Sequence, residues 1–322
     1  AIMESNPYGI PYKSLRQARF SGGLMLSDLG CTGGGLPCLR AQKVADILRH
    51  QKSATSALEG MLSGFSGVLV WAPVIDGRIV PSQPNAARIR KPTIIGTNLN
   101  EGEIFVVPEQ MSWLGGKKEI PRLLYETELK VMFPAPVARR ILAMNRYKAH
   151  GGDNTDVLAR MMTDYLFTCA NRHVMARASG PVYGYLFSQR TSYSIWPGIA
   201  VCAPKTGNVC HTFELPYVFG NPTTITIPQK PKVIRFTPAE QALSRTMGGY
   251  WTGFAATLNP NRRGSPNWPG FRAGNPVRQV LDTPISRKAT YSANCRFWDS
   301  VGYNVPGLLK RLTGDCPKRR KA

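Results

Sequence analysis

Two short apolar runs, each followed by a polar loop carrying one reactive side chain, constrain this chain more than any other feature. The first run is Lys91-Pro92-Thr93-Ile94-Ile95. It is apolar, β-branched and bounded by Pro and Gly, which predicts a short buried strand. The stretch Gly96-Thr97-Asn98-Leu99-Asn100-Glu101-Gly102-Glu103-Ile104-Phe105 then turns through a polar loop and presents Glu101. The second run, Pro181-Val182-Tyr183-Gly184-Tyr185-Leu186-Phe187, also predicts a strand, and a long irregular loop after it delivers His211. In open parallel α/β sheets, chemistry sits just beyond the carboxyl ends of strands. The order strand, acid, strand, histidine therefore predicts an α/β fold with Glu101 and His211 at such ends.

Nucleophilic chemistry needs a nucleophile, a base that takes its proton, and an acid that orients the base. The sequence has four histidines. His50 follows a helical stretch and leads into Gln51-Lys52-Ser53, a surface context. His150 precedes Gly151-Gly152 and reads as a helix-end residue, and His173 lies late in a helical stretch as a structural residue. His211 stands in a loop after a strand. Glu103 competes with Glu101 for the acid role, and Asp76, beside Gly77, reads as a turn residue.

Five segments carry a wider resemblance. They are Ala1-Ile2-Met3-Glu4-Ser5-Asn6-Pro7, Pro73-Val74-Ile75-Asp76-Gly77-Arg78, and Gly96-Thr97-Asn98 with Glu101-Gly102. The others are His211-Thr212-Phe213-Glu214-Leu215-Pro216-Tyr217-Val218-Phe219-Gly220, and Tyr250-Trp251-Thr252-Gly253-Phe254-Ala255 with Asn259-Pro260-Asn261. In this order the chain resembles the type-B carboxylesterase/cholinesterase family, nearly from end to end. The resemblance implies an α/β-hydrolase fold. Residues 1–322 would form the C-terminal portion of one domain, with part of the central mostly parallel sheet and flanking, gorge-shaping helices. It implies that Glu101 is the acid and His211 the base, following a serine along the chain. Glu214 matches a supporting glutamate, Phe105 and Trp196 match gorge-lining positions, and Trp71 approaches the acyl pocket.

In the family, the nucleophile elbow Gly-x-Ser-x-Gly and the glycine-rich oxyanion loop lie upstream of the segment that opens with Ala1. The sequence contains no Gly-x-Ser-x-Gly: Gly64-Phe65-Ser66-Gly67-Val68 lacks the second spacer, and Ser21-Gly22-Gly23 and Gly33-Gly34-Gly35 do not substitute. The expectation is a carboxylesterase portion holding two of three triad members and inactive alone. The serine and oxyanion hole would belong to an upstream segment or a companion chain. The expected substrate is a small-molecule carboxylic ester, with no cofactor. The family's choline-binding tryptophan would also lie upstream. Residues 201–209 make the approach to His211 longer than in cholinesterases, which reshapes the pocket mouth.

The resemblance also pairs cysteines. Cys31 and Cys38 match the family's short-loop disulfide, and Cys169 and Cys295 match a long-range one. Cys202 and Cys210 bracket the loop before His211 as a candidate third pair, leaving Cys316 over. Three pairs predict an oxidising compartment, secreted or periplasmic. The alternative is buried free cysteines acting as small hydrophobes. Without Cys-x-x-Cys or paired His spacing, a metal site is not expected.

Net charge is +22 over 322 residues, and hydrophobic content is 43%. The latter excludes disorder, and no apolar run is long enough for a membrane helix. The charge reads as a solvated basic surface, or as attraction to an anionic surface or polymer. Without a zinc-finger, RNP or helix-turn-helix signature, nucleic acid is not the expected partner. Two alternatives to the hydrolase follow: a non-catalytic adhesion or assembly member of the same fold, and a basic module binding anionic polymers. The basic run ending in Lys318-Arg319-Arg320-Lys321 reads as a frayed terminus.

Among the remaining elements, residues 1–3 predict a strand and 7–35 irregular chain. Helices are expected from Leu36 through Leu62, over 120–133, 137–147 and 153–178, the last being the longest. Thr237-Pro238-Ala239-Glu240 is a capping box opening a helix that stops at Asn259-Pro260.

Overall fold

The strand at Thr93–Asn98 is buried at all six positions and lies second in a five-stranded sheet. The computed structural model describes residues 1–51, 69, 71–106, 119–224, 234–289 and 293–305. The chain divides into two compact units. The first comprises Ala1–Tyr8, Arg88–Tyr125 and Ala143–Val301, and the second Gly9–Ala87, Glu126–Leu142 and Gly302–Ala322.

The strands are β1 (Ile2–Glu4), β2 (Lys13–Ser14), β3 (Val74–Ile75), β4 (Thr93–Asn98), β5 (Val182–Phe187), β6 (Val277–Leu281) and β7 (Ser286–Ala289). The first unit holds the sheet β1-β4-β5-β6-β7. Its first three pairings are parallel and β6–β7 is antiparallel. This is the mostly parallel sheet that the sequence predicts. β4 runs three residues past its expected end, because Gly96, Thr97 and Asn98 pair with Tyr185, Leu186 and Phe187. Gly96 is required there. A Cβ on it would stand 2.1 Å from the Tyr185 ring, which lies across it.

Side chains alternate between sheet faces. Ile94, Tyr185 and Phe187 pack with Leu243, Met247, Tyr250, Trp251 and Phe254 of the helix Pro238–Thr257, together with Trp268. On the other face Ile95 and Val182 pack with Met175 of the helix Cys169–Ala176. Each such large apolar side chain contributes roughly 1.5–3 kcal/mol when fully buried. The helix–sheet–helix layering follows from these two apolar faces.

The expected capping box is present: Thr237 Oγ1 accepts from Glu240 N at 3.3 Å, and Glu240 Oε2 accepts from Thr237 N at 2.8 Å. The expected helix over 153–178 is three pieces, Thr155–Met162, a π-helical segment Thr163–Thr168, and Cys169–Ala176. The longest single helix is instead Pro238–Thr257. In the middle piece Thr163 Oγ1 bonds Ala159 O at 2.9 Å, a hydroxyl set into the helix ladder. β6 and β7 were not anticipated, because Arg278 and Gln279 interrupt the apolar pattern of β6 although both are buried.

In the second unit β2 and β3 pair in parallel. Residues expected to be irregular form the helix Leu15–Asp28, opened by a capping box in which Ser14 and Gln17 bond reciprocally. Gly22 and Gly23 in its middle masked it. The run expected from Leu36 is two short helices, Gly35–Ala41 and Val44–His50. Its continuation through Leu58, Met61 and Leu62 lies outside the described residues, as do Cys316 and the basic tail. Asp76 is a turn residue, with Oδ1 accepting from the backbone of Arg78, Ile79 and Val80 at 2.9 Å each.

Three disulfides are present: Cys31–Cys38, Cys169–Cys295 and Cys202–Cys210, with Cα separations of 5.5, 4.9 and 5.9 Å. Among the described residues, no helix is long and apolar enough to cross a membrane.

Candidate active site

Three parallel strands deliver the site at their carboxyl ends. β1 is followed by Ser5, β4 ends in Asn98 and runs into Glu101, and β5 leads through residues 188–210 to His211. A backbone rung joins the two loops. Asn100 N donates to Val209 O at 2.9 Å, Val209 N donates to Asn100 Oδ1 at 3.1 Å, and Asn100 bridges Cys210 in parallel. The Cys202–Cys210 disulfide closes the chain on the residue before His211.

His211 Nδ1 lies 2.5 Å from Glu101 Oε2, although the residues are 110 positions apart. Glu101 is fully buried, while the His211 side chain retains 24% exposure. The carboxylate's other oxygen accepts from Asn98 N at 2.5 Å and Ser5 Oγ at 2.6 Å. With Oε2 accepting, Nδ1 carries the ring proton and Nε2 is left to act as a base.

The turn at Glu101 depends on Gly102. Gly102 N donates to Thr163 Oγ1 at 2.8 Å, and a Cβ there would stand 2.0 Å from Ala159 O. Only glycine lets the acid loop approach the helix backbone so closely. The π-helical segment thus supplies Thr163 to the acid loop. It also supplies Phe167, whose ring centroid lies 5.6 Å from that of His211. π-helical turns recur at functional positions for this kind of local re-aiming.

Phe105 sits 5.3 Å from the His211 ring and 5.8 Å from Phe167, so the two phenylalanines stack together on one side of the imidazole. Trp196 donates its indole N–H to His211 O at 3.0 Å and Thr212 Oγ1 at 3.2 Å. Its loop is anchored by Glu240, which accepts from Ser192 N and Oγ at 2.7 Å and from Tyr217 OH at 3.0 Å. Trp71 belongs to the second unit, where it lines a depression with Met25, Leu39 and Ile47. Ser5 and Thr212 hold positive φ angles of 53° and 76°, a conformation that costs about 1–3 kcal/mol each and clusters at functional sites.

Glu214 is buried beside the pair. It accepts from Asn98 Nδ2 at 2.6 Å and from Ser5 Oγ at 3.2 Å, the same two residues that hold Glu101. Burial, followed by the Glu101 charge, pushes its carboxyl up to about 7. For His211, burial opposes the charged form. The Glu101 hydrogen bond and charge, with Glu214 behind them, outweigh it and raise the imidazole above its ordinary value.

The structure therefore brings Glu101, His211, Glu214, Phe105 and Trp196 together. Ser5, Asn98, Thr163 and Phe167 were missed in the sequence, although Ser5 and Asn98 stand inside matched segments. Glu103, the competing acid, faces a different cavity. His150 and His173 lie beside Asp156 and Asp299, at 3.6 and 3.4 Å.

Comparison with known proteins follows the same lines. The Carboxylesterase family model matches residues 1–298. The chain is 27% identical to Crystal protein of Dictyostelium discoideum, over 94% of this chain and 54% of that protein. It is 28% identical to acylcarnitine hydrolase of Rattus norvegicus, over 86% of this chain and 46% of that one. With cocaine esterase of Homo sapiens it shares 27% identity over 92% of this chain and 55% of that one. It spans about half the length of the curated relatives it matches. The solved structure of PNB esterase superposes with a TM-score of 0.66 at 23% identity, covering 92% of this chain and 57% of that one. That likeness shows the α/β-hydrolase fold. From sequence and fold together, the chain belongs to the carboxylesterase family.

Proposed function

We propose that this chain carries the acid and base of a carboxylic ester hydrolase that works through an acyl-enzyme. One observation carries the reading: the His211 Nδ1 contact with the buried Glu101 carboxylate at 2.5 Å. His211 Nε2 takes the proton of an attacking serine and returns it to the leaving alcohol. Glu101 fixes the tautomer and stabilises the imidazolium. The serine and the backbone amides of the oxyanion hole lie outside these residues. Two features support that placement. The sequence has no Gly-x-Ser-x-Gly, and among the described residues no hydroxyl bonds His211 Nε2.

The substrate is a small-molecule carboxylic ester. Relatives named acylcarnitine hydrolase and cocaine esterase support that class. Phe105 and Phe167 form an apolar wall beside the base. The companion segment is an upstream half of the same domain, on this chain's parent or a separate chain. The family match covers residues 1–298, runs across both compact units and supports reading that span as part of one domain. Three disulfides support a secreted or periplasmic location. The +22 charge supports an added, salt-sensitive affinity for anionic surfaces or polymers.

Fluorophosphonate labelling of the native sample, read on a reducing gel, tests this. Label on a separate band is the expected result. Label on this chain refutes the placement of the serine. No label on any band points to a non-catalytic binding protein of the same fold or to a truncated product, and no label in a sample shown to contain the upstream segment overturns the hydrolase.

A further inference from the structure

Behind the acid loop lies a cavity of about 630 Å³ that neither Glu101 nor His211 lines. Its walls include Leu99, Glu103, Arg146, Asp156, Arg160 and Val201. Most of its charges are engaged. Arg160 bonds Asp156 Oδ2 at 2.7 Å and Arg146 O at 3.1 Å, while Arg146 bonds Asp164 at 2.6 Å. His150 Nε2 faces the other Asp156 oxygen at 3.6 Å. Asp153 accepts from Ile120 N, Thr155 N and Thr155 Oγ1.

Glu103 differs. It is only 8% exposed, it lines the cavity, and its carboxyl has no hydrogen-bond partner among the described residues. A buried carboxyl without a donor is costly when ionised. The Glu103 oxygens are not sealed from the cavity, so a cation with N–H donors can reach them there. Leu99 and Val201 provide apolar surface in the same cavity.

We propose that this cavity binds an organic ammonium ion, its head against Glu103 and an apolar substituent against Leu99 and Val201. The site is separate from the ester site and does not rest on the hydrolase reading. Its pH dependence follows from Glu103. Burial, then the charge of Asp156, raise Glu103 to about 7, with Arg160 pulling the other way. The cation binds the ionised carboxylate, so affinity rises with pH through that range and falls about tenfold from about pH 8 to about pH 6. The Gly151 carbonyl, with Asp156 behind it, raises His150 above its ordinary value, and His150 faces Asp156, so a variant at Glu103 separates the two.

The test is calorimetric titration with n-butylammonium chloride, and with n-butanol as the neutral isostere. Saturable binding of the ammonium alone is expected, weakening tenfold on acidification. Glu103→Gln should weaken it at least tenfold and remove its pH dependence. That variant also removes a buried charge, so its melting temperature at the higher pH should equal or exceed wild type. Leu99→Lys, at a 44% exposed position, places a tethered ammonium at the cavity and should block the probe. Equal binding by wild type and Glu103→Gln, equal binding of n-butanol, no saturable binding, or undiminished binding to Leu99→Lys would each overturn the proposal.

Discussion

Replacing Glu101 by glutamine keeps the shape of the side chain and removes its charge. The carboxylate receives three short bonds, from His211 Nδ1 and Asn98 N at 2.5 Å and from Ser5 Oγ at 2.6 Å. An amide has one accepting end. Were its NH₂ turned toward Asn98 N and Ser5, two donors would face it, and the Asn98 N–H cannot turn away. The amide oxygen therefore stays on Asn98 and Ser5, and the NH₂ faces His211. Nδ1 must then accept, and the imidazole proton moves to Nε2, where it can no longer take a proton from a nucleophile. A hydrogen bond to a charged group contributes about 1 kcal/mol more than a neutral one, so three such bonds lose about 3 kcal/mol. Relief of the repulsion between Glu101 and Glu214 offsets part of this, leaving about 2 kcal/mol. For a chain of this size that lowers the melting temperature by about 3 °C. The assays are thermal unfolding with disulfides intact and ¹⁵N shifts of the His211 ring. An unchanged melting temperature together with a retained Nδ1–H tautomer would refute the reasoning.

Glu214→Gln should flatten the pH dependence of stability. Glu214 moves from 4.5 to about 7 on folding, so its protonated form favours the fold below 4.5. That contribution, on the order of 3 kcal/mol, is lost as pH rises through about 7. Denaturant titrations across that window should show the wild type losing stability and the variant losing much less. Gly102→Ala sets a Cβ against Ala159 O and should cost about 1–3 kcal/mol. It should also lengthen the Glu101–His211 contact, read from the chemical shift of the Nδ1 proton, and an unmoved resonance would count against the packing argument. Removing Cys202 and Cys210 together, as the double serine variant, opens a loop with a sequence separation of 8 and should cost about 2.5 kcal/mol. Equal stability in urea would show that the loop is held without the bond.

What the sequence disclosed follows from how each feature is encoded. β4 and β5 were legible because strands buried on both faces read as continuous apolar runs. The capping box at Thr237 is a local signal and was equally plain. β6 was hidden because its polar residues, Arg278 and Gln279, are buried. The helix Leu15–Asp28 was hidden by paired glycines that its capping box overrides. Glu101 and His211 stand in loops after recognisable strands, so position and chemistry coincide. Ser5 reaches Asn98 and Glu101 only across 93 or more positions, Asn98 holds Glu214 across 116, and Phe167 approaches His211 from a helix that looks like ordinary core. Trp196 was expected to face substrate, and the bond of its indole N–H to the His211 carbonyl leaves no trace in local pattern.

The rung between Asn100 and Val209 has a further meaning for how such a site changes over generations. Everything between Phe187 and that rung is a side excursion whose two ends are tied, one to the sheet and one to the acid loop. Ser192 and Trp196 pin that excursion midway, to Glu240 and to the His211 carbonyl, so a change of length leaves the reach of His211 to Glu101 unaltered only where it falls between these anchors. Glu101 and His211 then stand as a fixed pin, and the stretches between the anchors of the excursion are where its length is free to vary.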